Sequence, residues 1–269
     1  VTTARIAFAV LPSRLIAGIE ARTGPITEVA SVREGYNSEI AARIRCATGS
    51  YFVKGLQESH KRAWTQAREA EINPHVAGLS SALRWHLTDC GWDLLIFEAL
   101  DGHHADYSPG SPDLRAVAAL LTSVARTPCP DLGLRPVSDR LKGYVSKPSD
   151  TSRFEGDALV HTDPNSTNVI VTGSAAKLVD WAWASRGAAW LDAAYWVIWL
   201  VATGKHSPAS AERCASGVPG WRAAPSVAVT AFAEAKANYW DEVAGPDPDP
   251  FAAGVRAAAC QWAEYRRGA

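Results

Sequence analysis
No run of lysine and arginine longer than a pair occurs in the 269 residues, and the formal net charge is only −1. Binding a phosphate backbone needs a clustered basic surface, so nucleic acid is not an expected partner. Cysteine is sparse: Cys46, Cys90, Cys129, Cys214 and Cys260 lie far apart, with no C-x-x-C pair. An odd, dispersed set supplies neither a disulfide framework nor a structural zinc site. Each thiol reads as a small buried apolar group in a reducing, cytoplasmic setting. Long hydrophobic runs are lacking as well. The longest, AAYWVIWLVA from Ala193 to Ala202, falls far short of the ~20 residues a membrane span requires and reads as a buried helix. Near the start, RIAFAVLPSRLIAGIEART is broken by Pro12, Arg14 and Glu20 and lacks a small-residue cleavage site, so it is expected to belong to the fold and not to a signal peptide. Methionine is missing from an Ala/Arg/Gly-rich composition, which suits a GC-rich genome and carries no functional signal.

What is present is ordinary for a globular protein: 47% hydrophobic and 20% charged residues, in a chain long enough for one large domain or two lobes. Helical spacing is expected over Leu11 to Ala21, after which Val29 to Val32, Ile40 to Ile44 and Tyr51 to Val53 read as strands of an antiparallel meander. Lys61 to Ile72 carries strong helix formers until Asn73-Pro74 stops it, and two further strands fall at Leu83 to Thr88 and Asp93 to Phe97. The Gly/Pro-rich EALDGHHADYSPGSPD has the composition of a linker. Beyond it, helices are expected over Pro112 to Arg126, Ala188 to Thr203, Val227 to Val243 and Pro250 to Arg266. The order is strands with one helix, a hinge, then mostly helices. This is an α+β fold in two unequal lobes, with boundaries expected at residues 1–97, 98–102 and 103–269.

The chemistry concentrates in HTDPNSTNVIVTGSAAKLVDWAW, His161 to Trp183. His161-x-Asp163 is followed after four residues by Asn168, a β-branched run, a TGS turn and then Asp180. A hairpin of that design brings Asn168, at the start of one strand, near Asp180, at the end of the other. Amide and carboxylate oxygens are hard ligands that suit Mg²⁺, which in turn grips phosphate oxygens. Asp163 is placed to accept the proton of an attacking hydroxyl. One carboxylate at the nucleophile and an oxygen-ligated metal at the phosphates are what phosphoryl transfer needs.

The composite H-x-D-x-x-x-x-N followed by D-W resembles the aminoglycoside phosphotransferase and choline kinase branch of the kinase-like superfamily. That family usually has H-G-D at the loop; here Thr162 replaces the glycine and Pro164 follows the aspartate. The resemblance implies a two-lobed protein-kinase-like fold, with an N-terminal antiparallel sheet bearing one key helix and a larger helical C-terminal lobe. It implies ATP or GTP with Mg²⁺ as cofactors. It also implies Asp163 as the base, Asn168 and Asp180 as metal ligands, and His161 as loop support. Upstream, Gly35, Tyr36, Asn37 and Ser38 correspond to the nucleotide loop, and Lys54 at the end of YFVK to the lysine on the phosphates. A lone Gly turn and a strand-end lysine are weak signals by themselves. The R-E-A context selects Glu69 as the partner of Lys54, with Glu71 as runner-up. Glu98, Ala99 and Leu100 fall where backbone groups read adenine. Asp192 corresponds to an anchor of the catalytic loop, and equally reads as a helix N-terminal charge facing the macrodipole.

Asp180 is followed by only WAWASRGAA before the next apolar helix, which leaves no room for a peptide-docking activation segment. A small-molecule hydroxyl acceptor follows, an antibiotic being the leading expectation and a metabolite such as choline, a sugar or an amino alcohol the alternative. A kinase-like nucleotide-binding module without turnover is the third reading. Neither a membrane nor a protein partner is expected. Asp241, Glu242, Asp247 and Asp249 suit either an acidic pocket for a polycationic antibiotic or plain turn chemistry. The tryptophans from Trp181 to Trp199 read as core.

Overall fold
The computed structural model describes residues 4–32 and 38–268. The chain divides into two compact units, the first comprising Val1–Asp101 and Val179–Ala182 and the second Gly102–Leu178 and Trp183–Ala269.

The first unit is built on a five-stranded antiparallel sheet, β1 (Ile26–Ser31), β2 (Ile40–Cys46), β3 (Gly49–Gln57), β4 (Leu83–Asp89) and β5 (Trp92–Glu98), in the order β1-β2-β3-β5-β4. The opening meander is therefore observed, and β4 folds back as an edge. Its sequence LRWHLTD shows why: Leu83, Trp85 and Leu87 alternate with exposed Arg84, His86 and Thr88. Helix α1 (Ser13–Thr23) presents Leu15 and Ile19 to Ile40, Ala42, Ile44, Val53, Leu94 and Ile96, forming the core on one face of the sheet. Because strand side chains alternate, Lys54 next to Val53 projects from the opposite face. Helix α2 (Trp64–Ile72) supplies buried Glu69 and Ile72. Asn73-Pro74 ends α2 as expected, though through a further 3₁₀ turn over Asn73–Val76.

The second unit is mostly helical: α3 (Asp113–Ala125), α4 (Val137–Leu141), α5 (Leu191–Ala202), α6 (Pro208–Ala215), α7 (Pro219–Ala223), α8 (Ser226–Ala244) and α9 (Pro250–Arg267). AAYWVIWLVA lies in α5 and is buried on all sides, with Tyr195, Phe232, Trp190, Phe154 and Trp262 meeting edge-to-face around it. No described helix is long and apolar enough to cross a membrane. Two small antiparallel sheets carry the loops of interest. One pairs β7 (Ala158–Val160) with β10 (Ser185–Gly187); the other runs β6 (His103–His104), β8 (Val169–Thr172), β9 (Ala175–Leu178). The sequence reading takes His103-His104 as linker, but His103 pairs with Val171 and His104 with Ile170. Gly102 permits this, since a Cβ there would lie 2.1 Å from the Val171 carbonyl oxygen.

Candidate functional site
The chemistry-bearing residues assemble as two groups, one within each unit. In the first, the Lys54 Nζ donates to Glu69 Oε2 at 2.6 Å and to Asp180 Oδ1 at 2.7 Å. The Lys54 and Glu69 side chains are only 9% and 6% exposed, which settles the local partner: Glu71 stays at the surface with Arg68. Burial by itself would lower the Lys54 pKa, but the carboxylates of Asp180 and Glu69 outweigh it and hold the ammonium above its ordinary range. Burial pushes the Glu69 carboxyl up, against the pull of Lys54. Asp180 reaches Lys54 from a left-handed backbone (φ 66°), a conformation that Asp tolerates.

At the end of the same sheet, Glu98 takes an ion pair from Arg84, its N–H donates to the Ala82 carbonyl, and its own carbonyl accepts from Ser81. The Ala99 N–H donates to Ser50 O, and the Leu100 carbonyl accepts from Arg43. Among the described residues, the Leu100 N–H and the Ala99 carbonyl have no partner. Ser38 is buried, and its carbonyl accepts from Arg5. Gly35, Tyr36 and Asn37 lie outside the described residues.

The second group is the loop from His161 to Asn168. Buried Asp192, in the first turn of α5, accepts from the His161 N–H through Oδ2 and from the Thr162 N–H through Oδ1, both at 2.8 Å. Burial raises its carboxyl to about 6, with the two backbone donors opposing. The geometry is that of a loop anchor, although Asp192 also sits where the helix dipole favours a negative charge. Fully buried His161 accepts the Asp163 N–H through Nδ1 at 3.2 Å. Thr162 occupies φ 75°, a region where a glycine would be unstrained. Its hydroxyl donates to the Trp183 carbonyl at 3.2 Å and accepts from Arg140 Nη1 at 3.4 Å. The Pro164 carbonyl accepts from the buried Tyr107 hydroxyl at 2.8 Å, and His206 Nε2 meets the Tyr107 carbonyl in turn. The Asn168 Nδ2 donates to the Asp163 carbonyl at 3.0 Å and to Asp163 Oδ2 at 3.2 Å, while Asn165 Nδ2 meets that oxygen at 3.0 Å. Asp163 is thus held through Oδ2 by two amides.

Two side chains around this loop were not singled out from the sequence. Arg140, at the end of α4, donates through Nη1 to Trp183 O (2.7 Å) and Ser185 Oγ (2.9 Å). Lys236 of α8 is 6% exposed, with Nζ 3.9 Å from the Tyr239 ring centroid and 5.0 Å from that of Tyr195. A signal existed for Lys236: it falls on the apolar stripe Val229, Phe232, Ala233, Lys236, where a lysine needs a reason. The acidic C-terminal residues, by contrast, serve local structure: Asp249 caps α9, Glu242 accepts from Tyr144, and Asp241 faces Arg256.

Among the described residues, no three His, Cys, Asp or Glu side chains converge as a self-contained metal site. Asp180 and Asn168 are hard oxygen donors, and Mg²⁺ commonly takes one or two protein ligands together with waters and substrate phosphates, so the donor chemistry fits.

Both groups sit on a known fold, that of the protein-kinase-like phosphotransferases. In particular, choline kinase LicA from Streptococcus pneumoniae matches at a TM-score of 0.62 and 12% identity, over 94% of this chain and 99% of its own. Aminoglycoside phosphotransferase APH(4)-Ia matches at 0.60 and 13%, over 94% and 98%. A thermostable mutant of the latter, in ternary complex with AMP-PNP and hygromycin B, matches at 0.62 and 14%, over 96% and 100%. No protein-family model matches the sequence, and no curated protein matches it significantly. The α+β, two-lobed fold expected from the motif order is therefore the fold observed.

Proposed function
We propose that the protein is a Mg²⁺-dependent O-phosphotransferase that moves the γ-phosphoryl group of ATP, or GTP, to a hydroxyl of a small molecule in the cytoplasm. The observation that carries this reading is the buried Lys54–Glu69 pair, joined by the half-buried Asp180. Charges withdrawn from water add little to stability, and replacing a buried ion pair with apolar residues is commonly neutral or better. Such a group persists where a reaction uses it. Lys54, steadied by Glu69, holds the α- and β-phosphates. Asp180 and Asn168 supply oxygens to Mg²⁺, which neutralises phosphate charge during transfer. Asp163, aimed by Asn165 and Asn168, takes the proton of the acceptor hydroxyl. His161 and Asp192 hold its backbone in place. Gly35, Tyr36, Asn37 and Ser38 are assigned to contact with the nucleotide phosphates. In the stretch Glu98 to Leu100, the adenine edge falls to the Leu100 N–H and the Ala99 carbonyl, the two groups without internal partners.

The likeness to structures crystallised with AMP and with AMP-PNP supports an adenine nucleotide as donor. The neighbours' acceptors support a small molecule, and both an antibiotic and a metabolite fit that class. A ³¹P NMR screen of hydroxylated antibiotics and metabolites with Mg-ATP is expected to reveal a new phosphomonoester. With that acceptor, Asp163→Ala should lose roughly 10²- to 10⁴-fold in turnover while nucleotide affinity stays. Full activity in Asp163→Ala removes it as the base, and binding of Mg-ATP without any turnover favours a non-catalytic module.

A further inference from the structure
The surroundings of Asp163 within the second unit carry an excess of unused cationic donors. Lys236 makes no hydrogen bond or ion pair to a described residue, although its side chain is nine-tenths buried. Its ammonium is surrounded by the faces of Tyr239, Tyr195 and Trp240, at 3.9, 5.0 and 5.8 Å from the ring centroids. Rings attract a cation but give its N–H groups no lone pair to bond. Arg140 lies over the Trp183 ring at 5.4 Å and spends only Nη1 on protein acceptors. Its Nε and Nη2 bond no described residue. Helix α4, which carries Arg140, packs on α8; Arg140 reaches Thr162 Oγ1, next to Asp163, and Lys236 interacts electrostatically with both Arg140 and Asp163.

Two neighbouring cations, each with donors that no described residue takes, make an oxyanion site next to the Asp163 loop. The aromatic cage that could otherwise receive a quaternary or primary ammonium already holds Lys236. We infer that Arg140 and Lys236 bind an oxyanion, a carboxylate or phosphate, carried by the acceptor whose hydroxyl Asp163 receives. The placement of the hydroxyl rests on the phosphotransferase reading; the anion site itself does not. The preferred acceptor class is thus a hydroxy acid or a phosphorylated alcohol, and polycations are repelled.

The test is binding to the full chain by NMR titration, using 4-hydroxybutanoate and glycerol 3-phosphate on one side, choline and hygromycin B on the other. At least one hydroxy anion should bind saturably and at least tenfold more tightly than either cation. Lys236→Met and Arg140→Gln should each weaken that binding about tenfold while leaving Mg-ATP affinity unchanged. Circular dichroism checks that both variants fold, with Lys236→Gln as the substitute if Lys236→Met does not. The better arm separates carboxylate from phosphate. Failure of both anions to bind, equal binding by the variants, or preference for choline or hygromycin B overturns the inference. ADP release keeps the two readings apart. Saturable anion binding without ADP release strikes phosphoryl transfer alone, whereas ADP release with choline and not with the anions strikes the anion site alone.

Discussion

Thr162 and Lys236 are residues whose type and environment disagree. A β-branched residue at φ 75° is strained by roughly 1–2 kcal/mol, yet Thr162 recovers part of that through its hydroxyl bond to Trp183. Thr162→Gly trades strain relief for a lost bond and a floppier unfolded chain, so its unfolding free energy should stay within ~1 kcal/mol of wild type. Thr162→Val keeps the strain and gives up the hydroxyl's bonds to Trp183 and Arg140, both of which keep other partners, and should lose about 1 kcal/mol in the same urea titration. A Thr162→Val variant as stable as wild type would refute the hydroxyl's role. For Lys236, burial pushes the pKa down to about 7, aided by Arg140 and opposed by Asp163, with Tyr195 and Tyr239 facing it. The sign follows from proton counting. Between pH 7 and the ordinary lysine range the unfolded chain binds the extra proton, so this group adds stability as pH rises and withdraws it as pH falls towards 7. Lys236→Met removes that dependence. It should be stabilised relative to wild type by an amount on the order of a few kcal/mol at pH 6.5, with the gap closing by pH 10. A gap that does not change with pH would exclude a depressed lysine.

At the scale of elements, one ion pair ties strand β3 to helix α2. Lys54 and Glu69 were reachable from the sequence because the strand pattern YFVK and the helix context QAREAEI place them in order. The choice of Glu69 over Glu71 rested on the R-E-A context and not on periodicity, which orients a helix only once its neighbours are known. Lys54→Ala leaves two carboxylates without their cation and should cost about 3–5 kcal/mol by chemical denaturation. The double variant Lys54→Met/Glu69→Leu should recover most of that loss while Mg-ATP binding stays abolished. Recovery of binding would show the triad to be structural. The short strands β7 and β10 escaped a sequence reading for a different reason. Three residues carry no periodicity, and Ser185–Gly187 becomes a strand only because Ala158–Val160 lies alongside.

For the molecule as a whole, a ligand that binds only the folded state must stabilise it. Mg-ATP at a hundred times its dissociation constant should add about 2.7 kcal/mol, seen as a rise in Tm that EDTA removes. Asp180→Ala should abolish the Mg²⁺-dependent part, and an undiminished shift would take Asp180 out of the metal site. The sequence by itself determined the α+β class, most of the long elements and the order Lys54, Glu69, Asp163, Asn168, Asp180, because hydrophobic period and motif spacing are local properties. Tertiary structure decided what locality cannot: that Val179–Ala182 packs with the first unit, and that Asp192 grips the loop from thirty residues away. It also decided that Arg140 and Lys236, ninety-six residues apart, come close enough to interact electrostatically. Those pairings are made by the burial of helices α5 and α8 against their neighbours, and no short stretch of sequence encodes which distant side chain will be waiting there.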